Sequence, residues 1–267
     1  LQSIDGISFK LKRAYDFNFL SEYGTVFRVY DDQDSGNICF GTEKNGRRYF
    51  IKFAGAPTER YNGDPADAIA RLKAAVPVYS ELHHENLIEL VDARAVGGGF
   101  AMVFKWASGD CMGRMYPAAH QRFMQLPRLT VFRDILNFFE YIAAQSYVAI
   151  DFYDGSVMYD FESGRTTICD IDLFRKQPCT NDMGRMWGSS RFQSPEGFQL
   201  GAVIDEVTNV YTVGATAFAL FGGCHRTREY WQLGDQPFEV ATKAVSDARS
   251  QRQRSIRQLR EEWETAL

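Results

Sequence analysis

The sequence predicts an α+β fold, a strand-rich first third followed by a helical remainder. Three observations carry this. Between Thr25 and Phe53, apolar and polar residues alternate in runs separated by turn signals, as half-buried strands require. Between Phe132 and Ile142 the period changes: Phe132, Ile135, Leu136, Phe139 and Ile142 keep the i, i+3, i+4, i+7 spacing of a buried helix face. With 267 residues, 45% of them hydrophobic, the chain can fill one full core or two lobes that share a cleft.

In order, Thr25–Tyr30 reads as a strand, residues 31–37 as a polar loop, and Ile38–Glu43 as a second strand. Lys44-Asn45-Gly46-Arg47 is a hairpin turn, because Asn and Gly accept the positive φ of a two-residue connection, and Arg48–Phe53 returns as a third strand. Asp64-Pro65 starts a helix, with Asp as N-cap and Pro in the first turn; it runs toward Leu82, and Pro77 is expected to kink or break it. Asn86–Val91 and Phe100–Phe104 look like strands. After the helix of Phe132–Ile142, further helices are predicted at residues 209–221, 237–247 and 255–264, with a polar loop over 176–191.

The bulk numbers exclude several classes. A net charge of −4 gives no global field for nucleic acid or anionic membrane, so neither is expected as a partner. Cys39, Cys111, Cys169, Cys179 and Cys224 form no CxxC pair, and the four histidines show no metal-ligand spacing; this predicts reduced thiols, no zinc site and a cytoplasmic location. The opening residues do not read as a secretory leader, and the longest apolar run, Val213–Phe221, is too short to span a membrane.

The chemistry concentrates in residues 147–175. Two apolar runs, Val148-Ala149-Ile150 and Thr167-Ile168-Cys169, each end in an aspartate, Asp151 and Asp170. Two strand-end carboxylates joined by a short hairpin suit phosphoryl transfer, in which one orients a hydroxyl and the other holds Mg²⁺ on the nucleotide phosphates.

Other motifs fall in a fixed order around this stretch. Tyr49-Phe-Ile-Lys52 is similar to V-A-I-K, and Leu82–Ile88 to L-x-H-P-N-I-V. Met102–Met112 resembles a hinge, with Phe104 as its gatekeeper. Ala149-Ile-Asp151 stands for H-R-D and Asp170-Ile-Asp172 for D-F-G. Gly188–Glu196 resembles G-T-x-x-Y-x-A-P-E, Asn209–Gly214 D-V-Y-S-L-G, and Arg252–Ile256 R-Y-x-S-I. Together, over roughly residues 20 to 265, the chain resembles the eukaryotic-like protein kinase family, in its bacterial serine/threonine branch. The resemblance implies a bilobal fold, with a small β-rich N-lobe over 1–106 and a larger helical C-lobe over 107–267. It implies ATP and Mg²⁺ or Mn²⁺ as cofactors, and a protein or small-molecule hydroxyl as acceptor.

It also implies roles. Lys52 would bind the α- and β-phosphates, and Asp151 would orient the hydroxyl and take its proton. Asp170, Asp172 and Ser156 would be the metal positions. Gly36, Ile38, Phe50 and Met158 would border the nucleotide, Lys105 and Ala107 would offer backbone groups to adenine, and Asp110 would reach ribose. Glu196 and Arg252 would form a buried, bracing ion pair.

Departures are as informative. The loop Asp31-Asp-Gln-Asp-Ser-Gly-Asn37 keeps one glycine, Gly36, and its three aspartates should repel phosphate. Ala75 stands where a glutamate would pair Lys52, so another group must orient that lysine. Phe50 replaces the small residue over adenine, Tyr153 the lysine two residues after the catalytic aspartate, and Asn209 the capping aspartate, though its amide oxygen can still accept one backbone hydrogen bond. Thr180, Ser189 and Ser190 are candidate autophosphorylation sites, but Ile150 replaces the arginine that would hold such a phosphate. The expected function is therefore an ATP-dependent serine/threonine kinase. The alternatives are a scaffolding pseudokinase, favoured by Ala75, Phe50 and the acidic loop, and a choline- or antibiotic-type small-molecule kinase, favoured by Asp172 and Tyr153.

Overall fold

The structure is a computed structural model that describes residues 1–113, 122 and 125–267. The chain is α+β and divides into two compact units. The first holds residues 1–83 and 88–107; the second holds residues 84–87 and 108–267.

The first unit is built on an antiparallel sheet of β3 (Thr25–Tyr30), β4 (Asn37–Lys44), β5 (Arg47–Ala54), β7 (Gly99–Lys105) and β6 (Leu90–Val96), in that spatial order. The β4–β5 turn is the predicted one: Asn45 and Gly46 have φ of 52° and 73°, and Lys44 pairs with Arg47. Alternation sends Ile38, Phe40, Ile51 and Phe53 to one face. There they join Phe9, Phe17, Phe19 and Leu20 in a buried aromatic-rich core. Helix α1 (Pro65–Glu81) starts as expected, the Asp64 carboxylate accepting the Ala66 N–H at 2.8 Å. Pro77 does not end it. The missing N–H forfeits one bond to the Lys73 carbonyl, but the buried stripe of Ala68, Leu72, Ala75, Val78 and Tyr79 carries the helix through. An additional hairpin, β1 (Gln2–Ile4) and β2 (Ile7–Phe9), precedes the sheet, and the Asp5 carboxylate at its turn accepts the Val26 N–H.

The strand expected over residues 86–91 splits. Residues 84–87 belong to the second unit, where the Asn86 carbonyl accepts the Ile168 N–H at 2.6 Å and its side chain donates to the Thr166 carbonyl at 3.0 Å. The sheet strand β6 begins only at Leu90.

The second unit is dominated by helices α2 (Arg128–Ala144), α3 (Glu206–Gly222), α4 (Asp235–Ala244) and α5 (Ile256–Ala266), which contain or overlap the predicted spans. Every residue of α3 from Thr208 to Gly222 is buried, as an almost wholly apolar helix demands. Rings from α2, α3 and α5 meet around it, with Phe132 and Trp263 at 4.5 Å and Phe221 and Trp263 at 5.7 Å. Short strands complete the unit: β8 (Asp110–Cys111), β10 (Val157–Asp160) and β11 (Arg165–Ile168) in one sheet, β9 (Tyr147–Val148) paired with β12 (Arg175–Lys176), and β13 (Cys179–Thr180) paired with β14 (Val203–Ile204). Among the described residues, no helix is long and apolar enough to cross a membrane.

Candidate active site

In the first unit, strand register decides which residues share a surface with Lys52. Counting outward from the Asn45-Gly46 turn, Lys52 lies opposite Cys39 and Phe50 opposite Gly41; on the other side of β5 they face Met102 and Phe104. Ile38 pairs with Phe53 and is wholly buried in the core on the opposite face. Successive β residues point to opposite faces, so Cys39, not Ile38, lies on the face of Lys52. Hairpin counting from Asn45-Gly46 was the signal that could have found it. Phe50 is half-buried, its ring 6.0 Å from Tyr30 and 6.3 Å from Phe104. Phe104 in turn meets Tyr79 of α1 at 4.9 Å, and Ala75 is fully buried. The Lys105 N–H donates to the Glu89 carbonyl and the Trp106 N–H to the Arg48 carbonyl. Ala107 ends the unit.

The acidic loop is tied down by partners from its own unit. Arg60 pairs with Asp32 at 2.5 Å, and the Asp31 carboxylate accepts the Lys10 backbone N–H at 2.6 Å. Arg71 of α1 donates to the Ser35 carbonyl at 3.0 Å and to the Tyr61 hydroxyl at 2.9 Å. Gly36, at φ 84°, is buried against Tyr61 and Ala68; a Cβ there would come within 2.8 Å of both. The side chain on the α1 face that lacks a glutamate is thus an arginine spent on the loop. None of Arg60, Tyr61 and Arg71 was marked as a loop partner by motif or periodicity.

In the second unit, Asp151 and Asp170 share an unusual backbone. Both are non-glycine residues in the left-handed region, at φ 62° and 58°. They do not sit on neighbouring strands of one hairpin, as the sequence suggested. The hairpin is β10–β11, whose turn spans residues 161–164, whereas β9, which leads to Asp151, pairs with β12, beyond Asp170. A 3₁₀ turn at Asp154–Ser156 separates the two systems, and the Cys169 N–H reaches back to the Ser156 carbonyl at 2.8 Å. Asp170 is exposed and Asp172 half-exposed, with the fully buried Ile171 anchoring the pair between them. Their oxygens suit a hard cation that keeps several waters. No cluster of three or more His, Cys, Asp and Glu stands close enough to hold a metal among the described residues. Ser156 is fully buried and its Oγ accepts the Tyr153 N–H at 3.4 Å. Met158 pairs with Cys111, and Tyr159 with Asp110, whose carboxylate holds Arg122 at 2.7 Å. Burial pushes the Cys111 thiol up to about 11, with the Asp154 and Asp170 charges adding to it.

Three braces hold the Asp151 loop. Asn209 of α3, fully buried, accepts the Ala149 N–H at 2.8 Å and donates to the Tyr147 carbonyl at 3.1 Å, using both ends of its amide. Arg191 forms a two-pronged pair with the buried Asp154, 3.0 Å on each arm. Gly188, at φ 128°, lies directly against Asp151: a Cβ would sit 3.2 Å from both its Cα and Oδ1. Below them, Arg252 grips Glu196 at 2.7 and 3.0 Å, as anticipated. The structure adds Arg249, which bonds Glu196 at 2.8 Å and the helix-capping Asp205 at 2.7 and 2.9 Å.

No family model matches the chain. Over 243 residues, 85% of this chain, it is 21% identical to smooth muscle myosin light chain kinase of Gallus gallus. The match spans 12% of that relative's length, so the likeness is to one segment of a much longer protein. It is a distant similarity to a protein kinase, in keeping with the order of motifs read from the sequence.

Proposed function

We propose that this chain is an ATP-dependent phosphotransferase of the serine/threonine kinase kind. The observation that carries the reading is the pair of left-handed aspartates, Asp151 and Asp170, in one unit. Such a backbone costs about 1–3 kcal/mol at each non-glycine residue and persists where the surroundings enforce it, most often at functional sites. Here Gly188 and the Asn209 clamp supply that enforcement around Asp151.

In this reading Asp151 orients the acceptor hydroxyl and takes its proton. The hydroxyl oxygen bonds to the γ-phosphorus while the bond to the ADP oxygen breaks. Lys52 binds the α- and β-phosphates. Asp170 and Asp172 would hold Mg²⁺ or Mn²⁺, which when bound neutralises phosphate charge. The Glu196 brace, part of the resemblance to protein kinases, supports a protein acceptor over a small-molecule one.

Thermal unfolding with ATP, with and without Mg²⁺ or Mn²⁺, tests the reading. Saturation at 100 times the dissociation constant stabilises by about 2.7 kcal/mol, or roughly 5–10 °C. A metal-dependent shift that is lost in Asp170→Ala is the expected result. No shift with any nucleotide would favour the scaffolding reading, which has its own support in the covered Gly36 and the paired acidic loop.

Activation by loop phosphorylation is not expected. Ile150 is buried with Val148, Met186 and Ile204, and brings no cation to a phosphate on Thr180 or Ser190. A Thr180→Ala, Ser190→Ala double variant should transfer radiolabelled phosphate as wild type does; complete loss of transfer would overturn this.

A further inference from the structure

We propose that the groove between α4 and the end of α3 binds a small amphipathic organic cation, an ammonium or guanidinium head on an aromatic or alkyl body. The groove lies wholly within the second unit, and neither Asp151 nor Asp170 lines it. This second site goes beyond the phosphotransferase reading and does not depend on it.

The groove offers about 610 Å³, inside the roughly 300–1,000 Å³ range of small-molecule sites. Helix spacing builds its wall. Phe238 and Thr242 stand four apart on α4, as do Glu239 and Lys243, so the four form two adjacent rows on one side of the helix. The floor is apolar. Phe218 of α3 and Val245 are buried, and the half-buried Phe238 ring stands edge-on to Phe218 at 5.9 Å.

The charges around the rim decide what fits. Lys243 is paired with Glu262 at 2.6 Å. Arg226 donates to the Tyr211 hydroxyl at 2.7 Å and to the Arg191 carbonyl at 3.0 Å, and its guanidinium lies 5.1 Å from the Tyr211 ring. Both cations of the groove are thus engaged by the protein itself. The carboxylates of Glu239 and Asp247 are not. Both residues are exposed, and neither carboxylate has a hydrogen-bond or ion-pair partner among the described residues.

The class of ligand follows. An anion would be repelled by the two carboxylates and would have to displace Glu262 to gain Lys243. A neutral apolar molecule would cover the Phe238 ring but strip water from the carboxylates, which is costly for a charge left unpaired. A cation with an apolar body gains twice. Its body removes Phe238 and Val245 from water, and its head meets the Glu239 and Asp247 charges.

The test is calorimetric titration of the full chain with three probes that share one body: 4-phenylbutylammonium, 4-phenylbutanol and 4-phenylbutyrate. The ammonium probe should bind most tightly. In a Glu239→Gln, Asp247→Asn double variant its affinity should fall by roughly tenfold, the sum of two solvent-exposed ion pairs, to about that of the alcohol. Added salt should have the same effect on the wild type and little effect on the double variant. Thr242→Trp, which fills the groove from an exposed helix position, should abolish binding of all three probes with the melting temperature unchanged. Equal affinity for the ammonium and the alcohol would overturn the proposal, as would tightest binding of the butyrate. Undiminished binding to a folded Thr242→Trp protein would place the probe elsewhere and overturn it too, and so would the absence of heat with any probe at millimolar concentration. None of these titrations contains nucleotide, so each outcome leaves the thermal-shift test of ATP binding untouched.

Discussion

Replacing Asp151 with asparagine is expected to slow phosphoryl transfer by about 10²–10⁴-fold, the usual contribution of a positioned general base, while metal-dependent stabilisation by ATP persists. Asparagine has nearly the same shape and is, with aspartate, among the few non-glycine residues that tolerate left-handed backbone. The φ of 62° and the contact with Gly188 should therefore survive. What is lost is the anionic oxygen that takes the proton. Initial rates of radiolabel transfer, measured beside thermal shifts on the same preparation, separate the two effects. An unchanged rate would remove Asp151 from the role of base. A lost thermal shift would mean that the substitution disturbed the site as a whole.

The largest effect on stability is expected at Glu196. Its side chain is 4% exposed and that of Arg252 is 0%, so Glu196→Ala leaves a buried guanidinium without its carboxylate. Removing one partner of such a pair costs about 3–5 kcal/mol, which should lower the melting temperature by roughly 6–20 °C. The Arg60–Asp32 pair makes a useful contrast. Both partners are more than 60% exposed, and breaking it should cost at most about 1 kcal/mol. Glu196 also sets an acid response. Burial raises its pKa, but the hydrogen bonds from Arg252, the backbone and Thr208 outweigh burial and hold it below the ordinary glutamate value. A carboxylate depressed in the folded state stabilises above its unfolded pKa, and that contribution drains away as pH falls through the folded value. Wild type should therefore lose stability below about pH 4.5, and Glu196→Gln should lack that component. Melting curves of both proteins between pH 7 and pH 3 check it; parallel curves would refute it.

What could be read from the sequence was local or carried by an ordered motif. Asn45-Gly46 announced its turn through φ chemistry, Asp64-Pro65 its cap, and the spacing of Phe132 to Ile142 its helix. Asn209 and Glu196–Arg252 followed from position in the motif order. Residues that act across long chain separations were silent. Arg249 sits in a short 3₁₀ turn with no periodicity to orient it, and Arg191 reaches Asp154 from 37 residues away. The β1–β2 hairpin has strands of three residues, too short to show alternation, although its Asp5-Gly6 turn carries positive φ at both residues. The face that Ile38 takes could be read by counting from the Asn45-Gly46 turn, which fixes the register of β4 on β5.

Residues His84 to Leu87 bear on how the protein can be divided. They belong to the second unit, although the chain returns to the first for another twenty residues before crossing finally at Ser108. The His84 ring packs on Phe138 and Tyr141 of α2, and Asn86 fills bonds to Thr166 and Ile168. A fragment beginning at Ser108 would lack this tetrapeptide, exposing the Ile168 N–H and Thr166 carbonyl, while a fragment ending at Ala107 would carry it unused. The two pieces cut at that point are thus complementary halves of an interrupted element: a recombinant second unit should begin before His84, or be supplied with a peptide spanning His84–Leu87.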